Sequence, residues 1–305
     1  MAEKRTYDFA DEGFLSRLER LHLIAKRLAA RGHAGARRSQ RLGDGLEFAD
    51  HRDYVRGDDI RFIDWPYYAR MEKLLLRMFH EHSEADVVIM LDTSASMAAG
   101  GEMEKFNYAR RAAAALAYVA MGSLERVILQ PFTDSLADAM RSGRSRLHVL
   151  EVLEFLAGLT PGGRTSLADC AARFAARQAS SAAGSAGTAV IISDLMDCRD
   201  DLTRAVSRLA QRGCDVTVLH IYSAADESPS LRGAVLLQQA ETDERMALNV
   251  TDAVVRSYGH RFAEFRRSCE HVCLSRGATY AAAPTYVPFE HLVLHTLKRA
   301  GVLAG

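Results

Sequence analysis

The sequence predicts an α/β fold: a mainly parallel sheet flanked by helices, preceded by a small N-terminal α+β segment. Two observations carry this expectation. From Asp86 onward, unbroken apolar runs of strand length alternate with amphipathic stretches of helix length. Such runs suit strands buried on both faces, and intervening helices suit parallel pairing with cover on both sides. The chain is also long enough for a large core, with 305 residues of which 48% are hydrophobic and 26% charged, the proportions of a globular protein.

The elements follow in order. Residues 12–31 place Phe14, Leu15, Leu18, Leu21, Ile24, Ala25 and Leu28 at helical spacing, which predicts an amphipathic helix. The basic, Gly-containing stretch 31–45 reads as a loop. Residues 46–84 are dense in charged and aromatic side chains, and Lys73–His82 reads as extended. Strands are predicted at 86–92 (DVVIMLD), 126–132 (RVILQPF), 188–194 (TAVIISD), 215–222 (DVTVLHIY) and, with a weaker pattern, 278–284 (ATYAAAP). Helices are predicted near 103–122, 145–158, 167–180, 199–212, 251–275 and 288–300. The stretch 234–250 offers two short strands around the charged turn TDER, a hairpin expected at a sheet edge. The run ASSAAGSAG (179–187) reads as a loop before a buried strand. Two domains result: residues 1–84 as an N-terminal segment, and 85–305 as the α/β domain with its hairpin insertion at about 233–250.

Composition weighs against several functions. Lys plus Arg number 39 and Asp plus Glu number 39, so there is no basic excess for nucleic acid. The longest charge-free run, Gln178–Ser193, has 16 residues diluted by Ser and Gly, short of a membrane span. The first residues lack the apolar core of a secretory signal. Five cysteines without a CxxC pair read as reduced thiols of a cytoplasmic protein. Cys269 and Cys273, four apart on a predicted helix, read as ordinary buried cysteines.

In an open parallel sheet, ligands bind outside the carboxyl ends of the strands. After the first strand comes Asp92-Thr93-Ser94-Ala95-Ser96, after the third Ser193-Asp194, and between them the Gly-rich turn PGGRTSL with Thr165 and Ser166. Three loops thus offer two carboxylates and at least three hydroxyls. An all-oxygen set suits a hard cation such as Mg²⁺. Taken alone, D-x-S-x-S also describes a helix N-cap; the Thr loop and second Asp at matching strand ends favour the metal site.

The strings DTSAS, GGRTSL and IISD resemble the metal-ion-dependent adhesion site of von Willebrand factor A domains. In that family the cation sits at the top of a Rossmann-like sheet and binds a carboxylate of a protein partner. The resemblance implies Asp92, Ser94, Ser96, Thr165 and Asp194 as metal ligands, Mg²⁺ or Mn²⁺ as the ion, and a partner's Asp or Glu as its last ligand. Upstream, Arg52, Tyr54, Gly57, Asp58, Arg61, Ile63, Asp64 and Trp65, followed by Ala69 and Arg70, form a second signature. Together with the A-type domain, this string is similar to the bacterial domain-of-unknown-function family fifty-eight, from about Leu15 to the C-terminus. Larger relatives carry membrane helices, so the chain is expected to be the soluble, cytoplasmic form. The resemblance further implies a MoxR-type AAA+ ATPase as partner, in assembly or maturation of client proteins. The alternating Arg and Asp of the upstream string can pair internally, so it reads either as a structural clamp or as an interaction surface around Trp65.

Enzymatic readings are weaker. A serine nucleophile needs an oriented base, and the chain has no G-x-S-x-G elbow and no P-loop. The expectation is a non-enzymatic, Mg²⁺-dependent protein-binding adaptor. The alternatives are a metal-dependent hydrolase, a structural A-type domain without metal function, and an RNA-associated A-type domain.

Overall fold

The computed structural model describes residues 9–11, 13–31, 42–43, 47–55, 58–80, 86–99, 103–123, 125–143, 145–179, 187–196, 199–242 and 244–299. The expected 31–45 loop lies largely outside these residues, as do most of the 179–187 loop, Cys198 and Gly57 of the upstream string. The chain forms two compact units, one of residues 1–32 and 85–305, the other of residues 33–84.

Helix α1 (Phe14–Arg31) belongs to the larger unit, although the sequence reading grouped it with the N-terminal segment. Its apolar stripe decides this: Phe14, Leu18, Leu21 and Ala25 are buried in the core of the α/β layers. In the smaller unit, β1 (Leu42–Gly43), β2 (Glu47–Asp53) and β3 (Leu75–His80) form an antiparallel sheet with β3 in the centre. A single helical turn (Ile60–Phe62) and helix α2 (Trp65–Met71) fill the connection. Asp64 starts α2 by accepting the Tyr67 amide at 2.9 Å, with Pro66 in the first turn, where its missing N–H costs nothing. The Arg–Asp alternation is used internally, as Arg52–Asp58 (2.8 Å) and Arg61–Asp59 (2.6 Å). Trp65 stands edge-on to Tyr68 and remains half exposed.

The larger unit continues with β4 (Asp86–Asp92), α3 (Glu104–Gly122), β5 (Arg126–Phe132), β6 (Met140–Arg141), α4 (Val149–Ala157), α5 (Leu167–Ala179) and β7 (Thr188–Ser193). Then come α6 (Arg199–Gln211), β8 (Asp215–Tyr222), α7 (Ala224–Glu227), β9 (Gly233–Gln238), β10 (Arg245–Val250), α8 (Asp252–Ser275), β11 (Thr279–Pro284) and α9 (Phe289–Arg299). Six strands form one sheet in the order β11-β8-β7-β4-β5-β6, parallel except for the β5–β6 pair. This is the flanked, mainly parallel sheet expected of a von Willebrand factor A-like domain.

The period-two alternation of each strand divides the core into two layers. Val87, Ile89 and Leu91 of β4 face α1, α3, α4 and α9. Val88 and Met90 face α5, α6 and α8, among Leu167, Phe174, Val206 and Leu209. Each central strand therefore puts apolar side chains on both of its faces, which is why the runs were legible. Cys269 and Cys273 belong to the second layer, and burial pushes the Cys273 thiol up to about 12. Among the described residues, no helix is long and apolar enough to cross a membrane.

One expectation changes. The 234–250 hairpin forms, with Arg245 paired to Gln238 and Val250 to Gly233, but as a separate two-stranded sheet rather than an edge of the large one. Among the described residues no further strand pairs with this ribbon, and Leu236 and Met246 on it are exposed.

Candidate metal centre at the carboxyl edge of the sheet

Asp92 is the last residue of β4, and Ser193 the last of β7, its parallel neighbour. Adjacent parallel strands ending at one level bring the two loops together. Asp92 Oδ1 accepts the Ser94 amide (2.9 Å) and Asp92 Oδ2 accepts the Ser193 hydroxyl (2.6 Å). The Ser94 and Ser96 hydroxyls share a hydrogen bond of 2.9 Å, and Ser96 Oγ donates to Asp194 Oδ1 at 3.2 Å. Asp92, Ser94, Ser96 and Asp194 are thus one connected, buried network. Ser94 precedes a short helical turn without capping it through its side chain, so the hydroxyls face the carboxylates instead of an orphan amide.

The Thr165 loop is joined to the same corner through its backbone. The Gly162 amide donates to the Thr93 carbonyl (2.8 Å), and the Ala95 amide to the Gly163 carbonyl (3.0 Å). Gly163 has φ +78°, a conformation that glycine adopts without steric penalty. The Thr165 side chain, however, is engaged elsewhere. Its Oγ1 donates to Glu241 Oε1 (3.2 Å) and its amide to Glu241 Oε2 (3.3 Å). Arg164 Nε donates to the Glu241 carbonyl at 3.4 Å. Four of the five residues therefore meet through side chains, and the fifth is held beside them with its hydroxyl on a hairpin glutamate.

Two further groups shape the electrostatics. Lys105, in the first turn of α3, is buried and donates from Nζ to Asp194 Oδ2 at 2.8 Å, with Asp226 Oδ2 at 3.6 Å. Burial works against its ammonium, but the two carboxylates outweigh that and hold its pKa above the ordinary lysine value. Asp92 has the opposite fate. Burial and then the Asp194 charge push it up to about 7, against the bonds from Ser193 and Ser94. Among the described residues Asp92 has no ion-pair partner. Next to the site, Leu195 carries φ +55°, rare for a side chain branched beyond Cβ and often a mark of a functional corner.

This donor set suits a hard divalent ion. It is all oxygen and rich in hydroxyls; among the described residues no three His, Cys, Asp or Glu side chains gather into a metal cage. Among the described residues Lys105 is shared by Asp194 and Asp226 and Asp92 has no ion-pair partner, so a bound cation would favour the ionised form that burial disfavours. Sequence reading missed Lys105, Asp226 and Glu241. Lys105 could have been noticed as a lysine at the start of a helix whose inner positions are mostly alanine and other apolar or aromatic residues. Nothing in the spacing of Glu241 announced it.

Residues 50–268, which contain both the Arg52–Arg70 string and the whole carboxyl-edge cluster, match the family described as "Protein of unknown function DUF58". The chain belongs to the DUF58 family. Uncharacterized proteins of Mycobacterium bovis and Mycobacterium tuberculosis are each 26% identical to this DUF58 chain over 273 residues, covering 86% of it and 83% of each relative. Among solved structures, it is similar to the conserved hypothetical protein BatB from Bacteroides thetaiotaomicron. That likeness is 13% identity with a TM-score of 0.43, over 71% of this chain and 98% of the other. It is also similar to a von Willebrand factor type A protein from Catenulispora acidiphila, at 14% identity with a TM-score of 0.42, over 73% and 43%. An aerotolerance-related membrane protein from Bacteroides fragilis gives 15% and 0.44, over 71% and 98%.

Proposed function

We propose that this DUF58 chain is a non-enzymatic, Mg²⁺-dependent protein-binding adaptor. Asp92, Ser94, Ser96, Thr165 and Asp194 would hold the ion, and Mn²⁺ would serve in its place. The observation that carries the reading is Asp92, a wholly buried carboxyl with no ion-pair partner among the described residues, in a network that leads to three hydroxyls and a second carboxylate. When bound, a divalent ion would favour its ionised form and offer a Lewis-acidic position to a partner's Asp or Glu. The chain's own residues hold the oxygens in place and exclude water from them. The carboxylate that the Ser96 hydroxyl reaches, Asp194, is already held by the Lys105 ammonium, which disfavours its use as a base. By its resemblance we assign a MoxR-type AAA+ ATPase as partner, in assembly or maturation of client proteins. The four described free cysteines support a reducing, cytoplasmic setting.

The test is a pair of measurements on wild type and an Asp92→Ala, Ser94→Ala variant. Millimolar Mg²⁺ is expected to raise the melting temperature of wild type only, since ligand at 100 Kd adds about 2.7 kcal/mol. Affinity capture in Mg²⁺ is expected to recover an AAA+ ATPase with wild type and not with the variant. Equal responses of the two proteins in both measurements would end the metal-mediated reading.

One observation favours a second reading, a structural A-type domain without metal function. Lys105 already supplies a buried cation to Asp194, and a fixed ammonium can take the structural part of an ion's role. That reading predicts no thermal response to Mg²⁺ at all.

A further inference from the structure

We propose that Glu241, at the turn of the β9–β10 hairpin, is an internal acidic ligand that holds the place of the partner's carboxylate at the cation site. The inference rests on the metal reading above and deepens it. Glu241 is the only acidic side chain that the described residues bring to Thr165, the one member of the donor set outside the Asp–Ser network. Both of its oxygens are committed to that single residue, one to the hydroxyl and one to the amide. Glu241 Oε1 lies 3.2 Å from Thr165 Oγ1, Ser94 Oγ 2.9 Å from Ser96 Oγ, and Ser96 Oγ 3.2 Å from Asp194 Oδ1. The glutamate is therefore hydrogen-bonded to the one proposed ligand that stands outside the Asp–Ser network.

The element that delivers it is built to let go. A lone two-stranded ribbon is marginal in water. The β9–β10 pair buries only Val250, at its base, while Leu236 and Met246 are exposed. At the turn, the described polar contacts to the Thr loop are the two bonds from Thr165 and the one from Arg164. Releasing the glutamate breaks three bonds, none of them fully buried, and disturbs no layer of the core. A partner's Asp or Glu would compete with a tethered acid of the same chemistry, so the hairpin sets a threshold for binding and keeps the site from taking stray carboxylates.

The experiment uses Mn²⁺ alone, then N-acetylglutamate as a free carboxylate, on the whole chain with Glu241→Gln and with Asp92→Ala as the site control. Mn²⁺ affinity is read by titration and the water on the bound ion by proton relaxation. Glu241→Gln is expected to weaken Mn²⁺ by about tenfold and to raise the relaxivity, because water enters the vacated position. Added N-acetylglutamate is expected to lower the relaxivity of Glu241→Gln and to leave wild type unchanged. If wild type and Glu241→Gln share one affinity and one relaxivity while Asp92→Ala loses the ion, the metal site stands and the role of Glu241 is refuted. If N-acetylglutamate acts equally on both, the position it takes is not that of Glu241, which also overturns the proposal. If wild type itself does not bind Mn²⁺, the site reading falls and the inference with it.

Discussion

Lys105→Met removes one buried ammonium and leaves its two carboxylates behind. The distances set the scale: at an effective dielectric of about 20, an attraction across 2.8 Å is about 6 kcal/mol and across 3.6 Å about 5 kcal/mol. Desolvating the ammonium takes back several kcal/mol, so the expected loss is the range for breaking a buried pair, about 3–5 kcal/mol. For a unit of this size that is a fall in Tm of roughly 10 °C. The assay is urea unfolding of a double-mutant cycle with Asp194→Asn, in EDTA and again in Mg²⁺. Without metal, the double variant should recover part of the loss, because the stranded carboxylate is gone. With metal, Lys105→Met should gain more stability than wild type, since an ion then supplies the missing charge. A cost below about 1 kcal/mol in EDTA, or a coupling near zero, would refute the argument that Lys105 is the standing counter-charge of this corner.

Two other expectations can be checked directly. His220 is wholly buried, with its Nδ1 on the Tyr280 hydroxyl at 2.8 Å, and burial lowers its pKa to about 3. A histidine depressed on folding contributes stability that is present above its unfolded pKa and lost as pH falls. Its share of the loss should be about 3 kcal/mol by pH 4.5. His220→Phe should flatten the stability profile between pH 6.5 and 4, and an unchanged slope would show that another group drives acid unfolding. Gly163→Ala meets no close atom, since its new methyl would lie 4.0 Å from Thr133 Cβ, so its cost is conformational at φ +78°. We expect about 1–2 kcal/mol together with weaker Mn²⁺ binding, because the Gly163 carbonyl ties the Thr165 loop to Ala95. Unaltered Mn²⁺ affinity in that variant would mean that the Thr loop does not need this tie.

The parts of the fold that could be read from the chain were those with a repeating physical demand. The strands β4, β5, β7 and β8 are apolar at nearly every position because helices cover both of their faces. The short β6 and α7, and β1 and β2 of the small sheet, carry no such repeat, and their charged side chains resemble a connector, whereas β3 lies within the stretch read as extended. The same division holds at the candidate site. Asp92, Ser94, Ser96 and Asp194 were visible because strand ends in a parallel sheet are privileged positions, and Thr165, in the loop between α4 and α5, through the family resemblance. Lys105 and Glu241 were not, since their partners Asp194 and Thr165 lie 89 and 76 residues away. Only the folded chain brings those pairs within hydrogen-bond reach.

The membership of α1 in the larger unit has a consequence for how the molecule can be divided. Phe14 packs on Phe289 (ring centroids 5.4 Å apart), and Arg111 Nε donates to the Phe9 carbonyl at 2.6 Å, a bond between residues 102 apart in sequence. Residues 33–84 are therefore an insertion, with chain on both sides committed to one host. Trimming from the front to Ala85 would strip the host of a helix and bare the apolar surface under it. Excising the middle and bridging the cut would keep the host whole. The detachable piece of this protein is the interior of its sequence, not its beginning.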